Sequence, residues 1–273
     1  MARMEFDRIA RDGMVLLGCG KMGSAMLAGW LARGVPAQSV HVIDPAPSEW
    51  LVKTGVHLNG TMPDAPAVAI VAVKPQMMGD ALPRLQAFGN GGTLFISIAA
   101  GTPLARFAEA LGEKTPIIRA MPNTPAAVGC GITALIGNMH VSEGDMTLAE
   151  SLLAAVGATV RLEDEAQMDA VTALSGSGPA YVFHLIEAMA QAGASAGLAP
   201  DLAMQLARAT VIGAGQLAAG ADETAEQLRI NVTSPKGTTA AALEVLMDAE
   251  TGLPPLMERA VAAAAARSRE LAQ

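Results

Sequence analysis

The feature that most constrains this chain is the stretch GCGKMG, Gly18 to Gly23, set between an apolar, β-branched run at 14–18 and a helical run at 24–32. The spacing is GxGxxG. Gly18 permits a tight turn, Gly20 lets the backbone come close to a pyrophosphate, and Gly23 allows a helix to pack closely. The helix start that follows offers free N–H groups and partial positive charge to an anion. A strand, a glycine turn and a helix in that order predict the first unit of an open α/β sheet that binds a dinucleotide. The bland alternative is a glycine-rich turn that binds nothing.

The same rhythm continues through the front half, with further candidate strands at 40–44, 67–73, 93–98, 116–119, 132–136 and 158–162. Runs such as VAIVAV show no polar alternation, as expected of strands covered by helices on both faces. Beyond about Glu165 such runs disappear, and the chain reads as helices punctuated by GSGP, GASAGLAP, NVTSPKGTT and GLPP. A length of 273 residues suits two domains at about 150 residues each. The expected organisation is a loosely held extension over 1–13, a Rossmann-type dinucleotide-binding domain over 14–164, and an all-α dimerisation and substrate domain over 165–273. The fold class is therefore α/β followed by all-α.

The helical half is rich in alanine and glycine, and aromatics make up only 3% of the chain, so its helices approach closely but bury little area each. Leu202, Leu206, Ala209, Ile212 and Leu217 leave little charge on any face of the helix expected at 201–219. Such a half is expected to borrow core from a second copy. The alanine run 262–266 reads as ordinary helix.

Other classes are disfavoured by composition. Apolar residues reach 51% and charged residues only 16%, which is not the balance of a disordered chain. A net charge of −8 without a lysine and arginine cluster argues against nucleic acid as the main partner. The uncharged stretch 120–142 is broken by Pro122, Asn123 and Pro125, so no membrane span is expected. The first residues lack the apolar core of a secretory peptide. Cys19 and Cys130 have no CxxC or His-rich companion, so neither a metal site nor a disulfide framework is indicated, and a reduced, cytoplasmic protein fits best.

Several further residues stand where a ligand is expected. Asp44, at the end of the second strand, is placed to accept hydrogen bonds from an adenosine ribose and favours NADH over NADPH on charge; alternatively it caps a turn with Pro45. Lys74 and Pro75 end the third strand, and SIAAG ends the fourth. RAMPNTPAAVGCG follows the fifth as a stiff loop at the same edge. In LSGSGPAY, Pro179 suits a first helical turn. In NVTSPKGTT, Thr238 and Thr239 open a helix and form either an anion site or plain N-caps. His41 falls in a strand, His57 and His140 in connections, and His184 in a helix, none with a carboxylate at a suggestive spacing. Oxidising an alcohol needs a base, whereas reducing a protonated imine needs a positioned hydride and a proton supply. The lack of a candidate base points away from alcohol chemistry.

Taken together, GCGKMG, VAVKPQ, SIAAG, MPNTPAAVGCG, LSGSGPAYVF and NVTSPKGTT resemble pyrroline-5-carboxylate reductase, in order and over nearly the whole chain from Met14. The resemblance implies reduction of the cyclic imine Δ1-pyrroline-5-carboxylate to L-proline with NADPH or NADH, the last step of proline synthesis. It also implies a homodimer interlocked through the helical domain, with five such dimers forming a decamer in many members. Carried over, the cofactor contacts are Leu17, Gly18, Cys19, Gly20, Lys21, Met22, Asn59, Val73, Lys74, Pro75, Ile98, Ala99, Ala100 and Asn231, beside Asp44. Substrate contacts are Ser234, Gly237, Thr238 and Thr239, with Thr239 near the ring nitrogen. Asp222 stands where a family member carries glutamate, and Lys236 where the usual pattern has glycine. Two competing readings are a related imine or hydroxyacid dehydrogenase and a non-catalytic dinucleotide-binding regulator.

Overall fold

A computed structural model describes residues 6–271. Residues 1–5 of the expected extension and residues 272–273 lie outside the described residues. The front half is one eight-stranded sheet in the order β3-β2-β1-β4-β5-β6-β7-β8. The strands are β1 Met14–Leu17, β2 Val40–Ile43, β3 His57–Leu58, β4 Val68–Val71, β5 Leu94–Ser97, β6 Ile117–Met121, β7 Gly131–Gly137 and β8 Gly157–Arg161. Every residue of β1, β4 and β5 is buried, because helices and turns cover both faces. Along β1, Met14 and Leu16 join a core containing Met26, Leu27, Trp30 and Leu152. Val15 and Leu17 join the opposite core, with Leu85, Phe88 and Phe107.

Helices flanking the sheet are α1 Asp7–Asp12, α2 Lys21–Ala32, α3 Leu104–Leu111 and α4 Glu143–Leu153. α2 is pinned at its far end: Trp30 Nε1 donates to Leu152 O at 2.8 Å, and a Cβ on Gly29 would lie 2.8 Å from Ala155 O. These contacts fix the helix axis, and hence the aim of its N-terminus at the carboxyl end of β1.

Several expectations change. The stretch before β1 is not loose: α1 buries Ile9 completely, and Arg8 reaches Asp145 and Gly92 O. His57 lies in a strand, paired with His41 in register and stacked on it at 4.5 Å between ring centroids. β7 runs antiparallel to β6, because the 122–130 connection has no crossover helix to return the chain to the sheet's other end. β8 then pairs parallel with β7.

By packing, the first compact unit runs to Gly176 and takes back the described chain from Ala265 onward. Residues past 164 stay with the sheet because Arg119 meets Glu165, Ser268 Oγ donates to Asp169, and Met168 and Ala173 are buried.

The second unit, Ser177–Ala264, is helical. It holds α5 Gly178–Ser195, α6 Pro200–Gly220, α7 Ala225–Asn231, α8 Thr238–Leu246 and the larger part of α9 Leu253–Leu271. Gly193 and Ala203 let α5 and α6 approach closely. The large side chains Phe183, Leu206, Ile212, Leu217, Val245 and Leu256 remain exposed in the single chain. Among the described residues no helix is long and apolar enough to cross a membrane.

Candidate active site

β1, β2, β3, β4 and β5 run parallel, so the segments following them gather at one sheet edge. That edge collects Leu17 through Met22, Asp44, Asn59, Val73, Lys74, Pro75, Ile98, Ala99 and Ala100. Asn231, Ser234, Gly237, Thr238 and Thr239 lie together in the second unit, over the end of α7 and the start of α8.

The glycine turn is built as the sequence demands, with one shift. α2 begins at Lys21, not Ser24, so the turn itself supplies the first helical residues. Gly18 has φ +89°, and a Cβ there would lie 2.9 Å from Ala72 O and Val73 Cγ1. A Cβ on Gly23 would lie 2.7 Å from Gly18 O. Gly20 differs: its Cβ would meet nothing within 4 Å. The first two glycines are therefore required by the protein itself, whereas the space in front of Gly20 is open. Gly20 is the N-cap and provides no side-chain cap, so the first N–H groups of α2 are free of one.

Asp44 joins the two sides of this edge. Its Oδ2 accepts from Cys19 N at 2.7 Å and its Oδ1 from Ala46 N at 2.8 Å. The second contact is the turn-capping role read from the sequence, and the first, which the sequence did not suggest, ties the carboxylate to the glycine turn. Asn59, at φ +52°, exchanges two bonds with the Asp44 backbone: Asp44 N donates to Oδ1 at 2.9 Å and Nδ2 donates to Asp44 O at 2.7 Å. Its amide thus holds Asp44 in place.

Ser24, which the sequence reading overlooked, braces the turn by donating from Oγ to Cys19 O at 2.9 Å. Its signal was the position itself, one turn into a helix that opens at Lys21. Burial pushes the Cys19 thiol up, the Asp44 charge adds to this, and the Ser24 contact opposes it. Cys19 is therefore a protonated packing residue at neutral pH.

The stiff loop after β6 is tied in by Asn123, whose Oδ1 accepts from Ile132 N at 2.9 Å and whose Nδ2 donates to Ser175 O at 3.2 Å. Ser175 belongs to a π-helical turn, Thr172–Gly176, that breaks the helix before Gly178. Such turns are frequent at functional sites. Pro179 occupies the first turn of α5, as its type suggests.

In the second unit, α8 starts at Thr238 with Gly237 as N-cap and no side-chain cap. Thr238 and Thr239 are thus the first helical residues and not the N-cap, and the leading N–H groups of the helix are left without a side-chain acceptor. Gly237 N donates to Ser234 O at 3.0 Å, and a Cβ on Gly237 would lie 2.3 Å from Ser234 Oγ, so a larger residue there would force the Ser234 hydroxyl to move. Asn231 Oδ1 accepts from Gln227 Nε2 at 2.8 Å.

Lys236 has φ +60°, the left-handed conformation that glycine adopts freely. Lys236→Gly is expected to stabilise the protein by up to about 1.5 kcal/mol: the left-handed cost of roughly 1–2 kcal/mol is relieved, less roughly 0.5–1 kcal/mol of added unfolded-state entropy. A denaturant midpoint that rises at constant slope checks this, and an unchanged or lower midpoint contradicts it.

His184, expected to lack a carboxylate neighbour, has one. Its Nδ1 lies 3.1 Å from Glu187 Oε2 one helical turn on, with side chains 82% and 69% exposed. A pair so open to water fixes nothing firmly. His41 lies near the sheet edge, where burial lowers its pKa despite the Thr61 carbonyl bond.

The pyrroline-5-carboxylate reductase of Pseudomonas aeruginosa is 39% identical over 266 residues, 95% of this chain and 97% of the relative. The chain belongs to the pyrroline-5-carboxylate reductase family. The reductase of Synechocystis is 40% identical over 263 residues, 94% of this chain and 97% of the relative. A family model described as pyrroline-5-carboxylate reductase dimerisation matches residues 165–271, and one described as NADP oxidoreductase coenzyme F420-dependent matches 14–101. The Coxiella burnetii pyrroline-5-carboxylate reductase structure superposes with a TM-score of 0.87 at 33% identity, covering 96% of this chain and 99% of that one. The Plasmodium falciparum enzyme, with NADP bound, gives 0.81 at 27% identity, with the same coverage of both chains.

Proposed function

We propose that this chain reduces Δ1-pyrroline-5-carboxylate to L-proline with NADPH or NADH, the last step of proline synthesis. The observation that carries the reading is the open face of Gly20 at an uncapped helix start, flanked by two glycines that cannot be replaced, in a chain that a reductase relative matches over 95% of its length. A dinucleotide fits this arrangement: N–H groups for a pyrophosphate, a carboxylate for a ribose, and no side chain in the way.

In this reading Leu17, Gly18, Cys19, Gly20, Lys21 and Met22 hold the pyrophosphate, Asp44 receives the ribose, and Asn59 holds Asp44. Val73, Lys74 and Pro75 line the cofactor, Ile98, Ala99 and Ala100 face its nicotinamide, and Asn231 contacts it from the helical domain, 165–271. When bound, the reduced nicotinamide supplies the hydride. Ser234, Gly237 and Thr238 hold the substrate carboxylate with hydroxyl and N–H donors, which the uncapped start of α8 has to spare. Thr239 keeps its hydroxyl on the ring nitrogen while water or the substrate itself brings the proton. Orientation is the main catalytic device, worth on the order of 7–11 kcal/mol when reacting atoms are held at near-attack distance.

Loss of NADH and NADPH absorbance, followed separately with pyrroline-5-carboxylate, tests reaction and coenzyme together. Binding without turnover would favour a regulator, and turnover only with other imines or hydroxyacids a related dehydrogenase. Thr239→Val conserves shape and removes one hydrogen bond. It should lower kcat/KM by about two- to tenfold, more if the nitrogen is charged, with cofactor affinity unchanged. Full turnover in that variant removes Thr239 from the mechanism.

Self-association through the helical domain is part of the proposal, as a homodimer and, beyond it, a decamer of five dimers. The exposed apolar residues of the second unit support it, and a monomeric mass by light scattering at micromolar concentration would contradict it. A cytoplasmic location suits the free thiols of Cys19 and Cys130.

A further inference from the structure

One half-buried ion pair lies outside the residues assigned so far. Arg119, on β6, is 7% exposed at its side chain and donates from Nη1 to Glu165 Oε1 at 2.8 Å, while the Glu165 side chain is 31% exposed. The same Oε1 accepts from Leu104 N at 2.9 Å. Leu104 is the first residue of α3, whose N-cap, Pro103, offers no side-chain acceptor. Glu165 therefore supplies from a distance the acceptor that α3 lacks, and its negative charge suits a helix N-terminus. Its own placement is fixed by a capping box: Asp164 Oδ1 accepts from Ala166 N at 2.9 Å, and Gln167 Oε1 accepts from Asp164 N at 3.2 Å.

The loop between β5 and α3 is thus held at both ends. Ile98 N donates to Val71 O at 3.0 Å at its start, and Glu165 holds Leu104 at its finish. Between them lie Ala99, Ala100 and Gly101, which turns at φ +72°. We infer that Glu165, steadied by Arg119, is a positioning residue for this loop, setting the wall against which the nicotinamide rests. The inference depends on the proposed placement of the nicotinamide at Ile98, Ala99 and Ala100.

Two variants separate positioning from stability. Glu165→Gln keeps an oxygen for Leu104 N but leaves Arg119 as an unpaired buried charge. The double variant Arg119→Met/Glu165→Leu removes both charges together, which cores tolerate well, but leaves Leu104 N without its acceptor. The single variant is expected to melt lower and keep kcat within about threefold, because a preserved contact preserves orientation. The double variant is expected to melt closer to the parent yet lose kcat on the order of ten- to a hundredfold, the scale of a small misplacement. Its KM for the cofactor should move less, since the glycine turn is untouched. Glu165→Asp keeps the charge and shortens the reach; if the double variant is insoluble, it should show lowered kcat at a near-parental melting temperature.

Emission of bound NADH reads the nicotinamide surroundings without turnover. It should change in the double variant and not in Glu165→Gln. If the parent protein fails to turn over pyrroline-5-carboxylate, the proposed function falls, while this comparison still decides the role of Glu165. A kcat that follows melting temperature across the variants, or a double variant with parental kcat and emission, overturns the inference. Asn138→Ala provides the reference for a purely structural loss: it breaks the 2.8 Å bond to Thr115 O and the 3.2 Å bond from Ile117 N, and should lower melting without changing kcat.

Discussion

Gly20→Val is expected to leave the protein folded and to weaken cofactor binding severely. The position has φ −69° and ψ −160°, which any residue adopts, and an added Cβ meets nothing within 4 Å. A stability change within about 0.5 kcal/mol is expected of such an open site. The same branched side chain stands where the proposed pyrophosphate would approach the backbone, and it would screen the leading N–H groups of α2. Losing two charge-assisted hydrogen bonds at about 1.5–3 kcal/mol each weakens binding on the order of a hundred- to ten-thousandfold. Titration of NADH fluorescence, beside a thermal melt, measures both halves. Retained affinity would move the pyrophosphate away from this turn. Gly18→Val and Gly23→Val are the contrasting cases, because their side chains would strike Ala72 and Gly18 backbone atoms and damage the fold itself.

That contrast shows what the sequence makes legible. GxGxxG announces three glycines without telling which the fold itself requires; the distances show that Gly18 and Gly23 are required and Gly20 is not. Strands such as Val68–Val71 are readable because burial on both faces leaves an unbroken apolar run. β3 is not readable, since it has only two residues and begins on exposed His57. The direction of β7 is equally hidden, because side-chain alternation is the same whichever way a strand runs, and only the missing crossover decides it. The start of α8 is legible at Thr238, yet threonine there suggests a cap, and only the structure assigns that place to Gly237. The pairing of Arg119 with Glu165 joins parts of the chain that no local pattern connects, so no periodicity or motif announces it.

Asp44→Asn should raise the ratio of kcat/KM for NADPH over NADH by about tenfold or more. The Asp44 carboxylate is immobilised by Cys19 N and Ala46 N, so its charge cannot swing away from an arriving ligand. A phosphate on the adjacent ribose hydroxyl would sit against it. At about 4 Å, each pair of unit charges costs about 1 kcal/mol in water and about 4 kcal/mol at the effective dielectric of a protein surface. The amide keeps the shape and removes this repulsion. It also turns one of the two acceptor oxygens into a donor facing an N–H, which costs the turn about 1–3 kcal/mol. That damage falls on both coenzymes alike, so absolute activities are expected to drop while the ratio still rises. Initial rates with each coenzyme supply the ratio, and the parental ratio of NADPH to NADH activity should rise as added salt screens the carboxylate. A ratio unmoved by the substitution would mean that the ribose does not lie against Asp44.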